Sequence, residues 1–164
     1  MPYMIALIPS QKSAEKYILA AQELFSSQNS DRLLSKESTP HVTLCQFECE
    51  ESLATSLWEE FKKLSQPSLM IRFVAFSFVK GIAEHEGYYW AELSIARDMP
   101  LLNLYQKVLN FIQKKKLPII NDYGDYYRPH LTLARIQLPY TIRAWPNSLL
   151  DTENFTLGFM PCFS

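Results

Sequence analysis

No apolar run in this sequence approaches the ~20 consecutive residues that a membrane-crossing helix needs, and no membrane role is expected. Cysteine is sparse as well. Cys45, Cys49 and Cys162 are an odd, scattered set, which argues against a disulfide framework and reads as three free thiols in a reducing compartment. Basic charge has no surplus: 16 Lys and Arg stand against 17 Asp and Glu, for a formal charge of −1. Proteins that bind long polyanions neutralise many phosphates with Lys and Arg, so a general nucleic-acid track is not expected, whereas a small anion needs only a local cluster. The one basic run, Lys114 to Lys116, reads as a solvated helix end, where lysine suits the helix dipole. A basic leader is also lacking. "MPYMIALIPS" has a short apolar core and reads as a first strand rather than a secretion signal, so a cytoplasmic location is expected. No long or low-complexity linker divides the chain, and residues 1–164 are read as a single bilobal domain.

What is present is a mixed α+β pattern, with helices over predominantly antiparallel sheets. Tyr3 to Ile8 reads as a strand, and Ser10 can cap a helix through about Phe25 with Tyr17, Ile18 and Ala21 at helical spacing. Polar "SSQNSD" and a short connector lead to a strand from His41 to about Phe47. A second helix runs from Glu51 to Leu64 with Leu53, Leu57, Phe61 and Leu64 as its expected buried stripe. Beyond the punctuating Pro67, Leu69 to Val79 and Tyr88 to Ile95 form an expected hairpin. Asp98 and Pro100 open a third helix that Pro118 stops, and the loop "INDYGDYYRP" leads into a strand from His130 to about Ile136. Phe155 to Met160 is a last short strand.

The chain has only three histidines, yet two of them sit in one repeated phrase: "STPHVTL" ends at Leu44 and "YRPHLTL" ends at Leu133. Strand side chains alternate, so His41, Thr43 and Cys45 are expected on one face, with Val42 and Leu44 opposed. In the second phrase His130, Thr132 and Ala134 share a face, and Arg135 is expected to point away from it. The aliphatic sides suit helix packing and leave His and Thr for a cleft. Two imidazoles could then bracket one phosphorus, one taking a proton and the other giving one, while two hydroxyls hydrogen-bond its oxygens. Such chemistry needs neither metal nor cofactor. Pro40 and Pro129, which restrict the residue before them and donate no N–H, read as scaffold.

These phrases resemble the paired His-x-Thr-x motifs of the two-histidine (2H) phosphoesterase superfamily, here His41-Val42-Thr43-Leu44 and His130-Leu131-Thr132-Leu133. The branch most similar contains the bacterial and archaeal 2'-5' RNA ligase and cyclic phosphodiesterase proteins. The resemblance implies a two-lobed fold in which antiparallel sheets flanked by helices enclose a central cleft. It also implies metal-independent action on 2',3'-cyclic phosphates or 2'-5'-linked nucleotides or RNA, with weak ligation as the reverse reaction. By that resemblance His41 and His130 are the catalytic pair, and Thr43 and Thr132 bind the phosphate. The expected partner is a small nucleotide or short RNA, and the expected state a monomer. The alternative is a non-catalytic RNA- or nucleotide-binding protein of the same fold.

Further candidates come from position. Arg128 adjoins the second phrase, Lys36 precedes the first, and Lys80 follows a strand; each could complement a phosphate. Tyr127, whose loop leads directly to His130, is the preferred aromatic for stacking on a base. His85, which lacks the Thr-Leu continuation, reads as an exposed loop residue, and Asp122 and Asp125 could orient a histidine but are left unassigned.

Overall fold

The computed structural model describes residues 1–64, 68–138 and 147–162. Pro67 lies outside them. Among the described residues seven strands and three α-helices follow one another as β1 (Pro2–Pro9), α1 (Gln11–Leu24), β2 (Ser30–Leu33), β3 (Val42–Glu48), α2 (Glu51–Lys62), β4 (Ser68–Lys80), β5 (Tyr88–Ile95), α3 (Met99–Lys114), β6 (His130–Gln137) and β7 (Thr152–Pro161). All the strand pairings are antiparallel.

The strands lie in the order β2-β6-β3-β1-β7-β4-β5, and β5 also pairs with β6. Six strands thus close on themselves, with β2 added outside β6. Strand β4 belongs to both lobes: Ser68 to Arg72 pairs with β7, and Phe73 to Lys80 continues as the hairpin partner of β5. One lobe is built on β1, β3 and β7, the other on β5, β6 and β2. Where β3 meets β6 a single residue pair, Val42 with Leu131, joins them.

Helix starts follow local chemistry. The Ser10 hydroxyl accepts from the Ser13 amide at 3.3 Å, and the Asp98 carboxylate accepts from the Leu101 amide at 3.2 Å, each satisfying a donor that the first helical turn leaves unpaired. Helix α1 buries Tyr17, Ile18 and Ala21, and the Tyr17 ring meets Phe73 edge-on at 5.7 Å. Helices α2 and α3 lie together, with Phe61 against Phe111 at 5.2 Å and Glu60 paired to Lys115 at 2.6 Å. The α2 stripe differs from expectation: Ala54, Leu57 and Phe61 are buried, while Leu53 and Leu64 are exposed. Leu64 falls past the last helical residue and Leu53 sits in the first turn, so Ala54 takes the inward place.

Strand β2 is absent from the sequence reading, which has a connector there. Its four residues, Ser-Asp-Arg-Leu, carry no apolar alternation. They become a strand because the second edge of β6 is open beyond Leu131, and Leu33 pairs with Ala134 and Arg32 with Arg135. No helix among the described residues is long and apolar enough to cross a membrane.

Candidate active site

The two repeated phrases arrive at one place. Because Val42 pairs antiparallel with Leu131, the flanking positions set His41 across from Thr132 and Thr43 across from His130. His41 and Thr132 line a common pocket of about 40 Å³, and the two rings are near enough that a charge on His41 lowers the pKa of His130.

The same local geometry holds both imidazoles. His41 Nδ1 lies 2.7 Å from the Thr39 carbonyl and His130 Nδ1 lies 2.7 Å from the Arg128 carbonyl. A carbonyl can only accept, so in each ring Nδ1–H donates and Nε2 is left for the cleft. The intervening Pro40 and Pro129, with fixed φ, turn those carbonyls onto the rings. Burial pulls both imidazoles below their ordinary value of 6.5 by penalising the charged form, and the backbone hydrogen bonds oppose it. Arg32 lowers His41 further; Arg128 and His41 lower His130 further. Neither the Thr43 nor the Thr132 hydroxyl has a hydrogen-bond partner among the described residues, so both are free to donate to a ligand.

A β-bulge follows each threonine. Ala6 pairs with Thr43 and Ile5 with Cys45, leaving Leu44 as the extra residue; Glu92 pairs with Thr132 and Ala91 with Ala134, leaving Leu133. Past each bulge the alternation reverses. Cys45 and Ala134, expected beside the histidines, are buried in the core, and burial pushes the Cys45 thiol up to about 12. Arg135, expected to point away, is instead on the half-exposed face. There it is held by the Asp31 carboxylate at 2.7 and 2.8 Å, by His85 at 2.6 Å and by the Trp90 ring at 4.9 Å. His85 is therefore half-buried against Arg135 rather than a free loop residue.

Tyr127 is no stacking platform for a ligand. It is 4% exposed, its ring lies parallel on Tyr105 at 3.9 Å, and its hydroxyl donates to the Thr43 carbonyl at 3.1 Å. The residue spans the two phrases from inside the core. Lys80 is far from the pair: it sits opposite Tyr89, which pairs with Ile136 near the other end of β6 from His130. Lys36 is exposed on the turn before Thr39, beside Glu37, and Asp122 and Asp125 are exposed on their loop. Arg128 stands at the site with its side chain 46% exposed.

Two residues at the site are missing from the sequence reading. Arg32 of β2 lines the pocket beside His41 and has no ion-pair partner among the described residues. Glu92 is wholly buried, contacts the Arg128 guanidinium, and lies 3.5 Å from His130 Nε2, with no directional hydrogen bond to either oxygen. A signal for Glu92 is present in the sequence: one carboxylate in the middle of "YYWAELSI", a strand that is otherwise apolar through Leu93. Among the described residues no three His, Cys, Asp or Glu side chains gather into a metal-binding group.

No family description matches the chain by sequence, and no curated protein does. Its architecture does match solved structures. Escherichia coli LigT, in a crystal structure with 3'-AMP, is 14% identical, with a TM-score of 0.63 over 99% of this chain and 97% of LigT. The MHV ns2 PDE domain is 12% identical, with a TM-score of 0.58 over 99% of both chains. Usb1 of Kluyveromyces marxianus is 8% identical, with a TM-score of 0.55 over 98% of this chain and 97% of its own. With its antiparallel sheets, flanking helices and two lobes meeting at the repeated phrases, this chain has the α+β fold of the two-histidine phosphoesterases.

Proposed function

We propose that the protein is a metal-independent phosphodiesterase that acts on 2',3'-cyclic phosphates or 2'-5'-linked nucleotides through His41 and His130. The observation that carries this reading is the Val42–Leu131 pair, which sets each histidine across from the other motif's threonine. Two ring nitrogens and two unengaged hydroxyls then surround a space suited to one phosphoryl group. On a cyclic phosphate, water forms the new P–O bond and gives its proton to one imidazole. The P–O bond to one ribose oxygen breaks, and that oxygen takes a proton from the other imidazole. On a 2'-5' linkage the neighbouring ribose hydroxyl attacks in place of water. Thr43 and Thr132 donate to the nonbridging oxygens, where charge builds in the transition state, and Arg128 and Arg32 supply positive charge at the rim.

The test is a product-resolved hydrolysis panel in EDTA with 2',3'-cyclic nucleotides and 2'-5' and 3'-5' dinucleotides. His41→Ala and His130→Ala are each expected to cost at least ~100-fold, the scale of lost acid or base assistance. Because burial lowers both imidazoles, the acid limb of kcat/KM is expected below pH 6.5. Equal rates for parent and both variants would remove the mechanism.

A further inference from the structure

The two lobes present their histidines through the same phrase, the same carbonyl partner two residues back and the same bulge, so the pair would be chemically equivalent but for what stands opposite. The residue paired with Thr43 is Ala6; the residue paired with Thr132 is Glu92. Both are fully buried. One histidine therefore has a methyl group where the other has a carboxylate.

We propose that Glu92 holds positive charge on His130, making His130 the proton donor to the leaving oxygen and His41 the proton acceptor. The assignment rests on the phosphodiesterase reading and gives its two imidazoles distinct roles. A carboxylate taken out of water stays ionised only when paired, and Arg128, whose guanidinium does not give up its proton, supplies that pairing. Glu92 Oε2 lies 3.5 Å from His130 Nε2, close enough to stabilise an imidazolium but beyond an ordinary N–H···O bond, so the proton stays available to a substrate. Among the described residues the charged groups facing His130 are Glu92 from β5, Arg128 from the preceding loop and His41 from the other lobe, and Glu92 is the one anion of the three. His41 faces Arg32 from β2 and His130, and among the described residues no carboxylate faces it.

On a 2',3'-cyclic substrate, water bonds to phosphorus and passes its proton to His41 Nε2. The ribose oxygen leaves with the proton of His130 Nε2, and Glu92 remains ionised throughout. One water is consumed, and exchange with solvent returns both rings to their starting states. Glu92 acts through His130 and is a positioning residue rather than a catalytic one.

With only three histidines, the imidazole resonances can be followed by NMR against pH and assigned with single His→Ala variants. In the unsubstituted protein His130 is expected to titrate above His41. Glu92→Gln should lower His130 by about one pH unit and leave His85 unmoved. The opposite order, or a His130 indifferent to Glu92→Gln, overturns the proposal; the order needs no variant and decides the matter if Glu92→Gln does not fold. The kinetic arm compares two five-membered cyclic phosphates opened by water, a nucleoside 2',3'-cyclic phosphate and 4-nitrocatechol cyclic phosphate, whose nitrophenolate departs without a proton. Glu92→Gln and His130→Ala should lose at least ~10-fold more on the first than on the second, while His41→Ala loses equally on both. Equal losses of His130→Ala on the two esters overturn the donor assignment alone. A parent inactive on both overturns the phosphodiesterase reading and the proton roles with it.

Discussion

Tyr127 should be a joint between the lobes, and its removal should be felt as stability. Beyond Val42 and Leu131 the strands β3 and β6 part to leave the cleft, so the Thr43 carbonyl has no β6 partner; the Tyr127 hydroxyl, from the loop before His130, takes it at 3.1 Å. Tyr127→Phe keeps the ring and its parallel contact with Tyr105 but strands that carbonyl. A net hydrogen bond is worth about 1 kcal/mol, and a stranded buried acceptor costs about 1–3, so a loss of about 1–2 kcal/mol is expected. Tyr127→Ala also gives up a side chain only 4% exposed and the aromatic pair at 3.9 Å, which brings the expected loss to about 3–5 kcal/mol. Urea unfolding followed by Trp fluorescence measures both, at constant m. A double-mutant cycle with Tyr105→Phe separates the stack from the Tyr105 hydroxyl, which accepts from the Gly124 amide at 2.6 Å. If Tyr127→Phe and Tyr127→Ala cost the same, or if neither moves the midpoint, the Tyr127 hydroxyl and ring do not join the lobes.

Asp31 is held below its ordinary value of 3.8 first by its hydrogen bonds to Arg135, and a depressed carboxylate adds stability that is complete above the unfolded value and lost as pH falls through the folded one. The parent should thus lose more Tm than Asp31→Asn on going from pH 5 to below the usual aspartate range, and parallel curves would count against the pair. Thiol titration with a disulfide reagent at pH 8 should find Cys162, the half-buried one, reacting ahead of Cys45 and Cys49, with all three reacting in denaturant. Fast reaction of Cys45 in the folded protein would contradict its place in the core and its raised pKa.

The duplicated histidine phrases, the β4–β5 hairpin and the capped, strongly amphipathic α3 are all readable along the chain, because each depends on residues close in sequence: alternation, a turn, a cap and a stripe. For the same reason the phrases predict their own strands, with each histidine and its threonine on one face. Other features depend on partners. Strand β2 exists only because β6 offers it an edge, and the bulges that send Cys45 inward and turn Arg135 outward arise from pairing with β1 and β5. Tyr127 looked like a ligand platform from its place in the chain and is buried because Tyr105 of α3 lies flat against it. Sequence alone thus determined that two imidazole-bearing strands exist and what each can do chemically. The tertiary structure decided that they face one another, and that one of them has Glu92 beside it where the other has Ala6, since cross-strand register joins residues that no local periodicity connects.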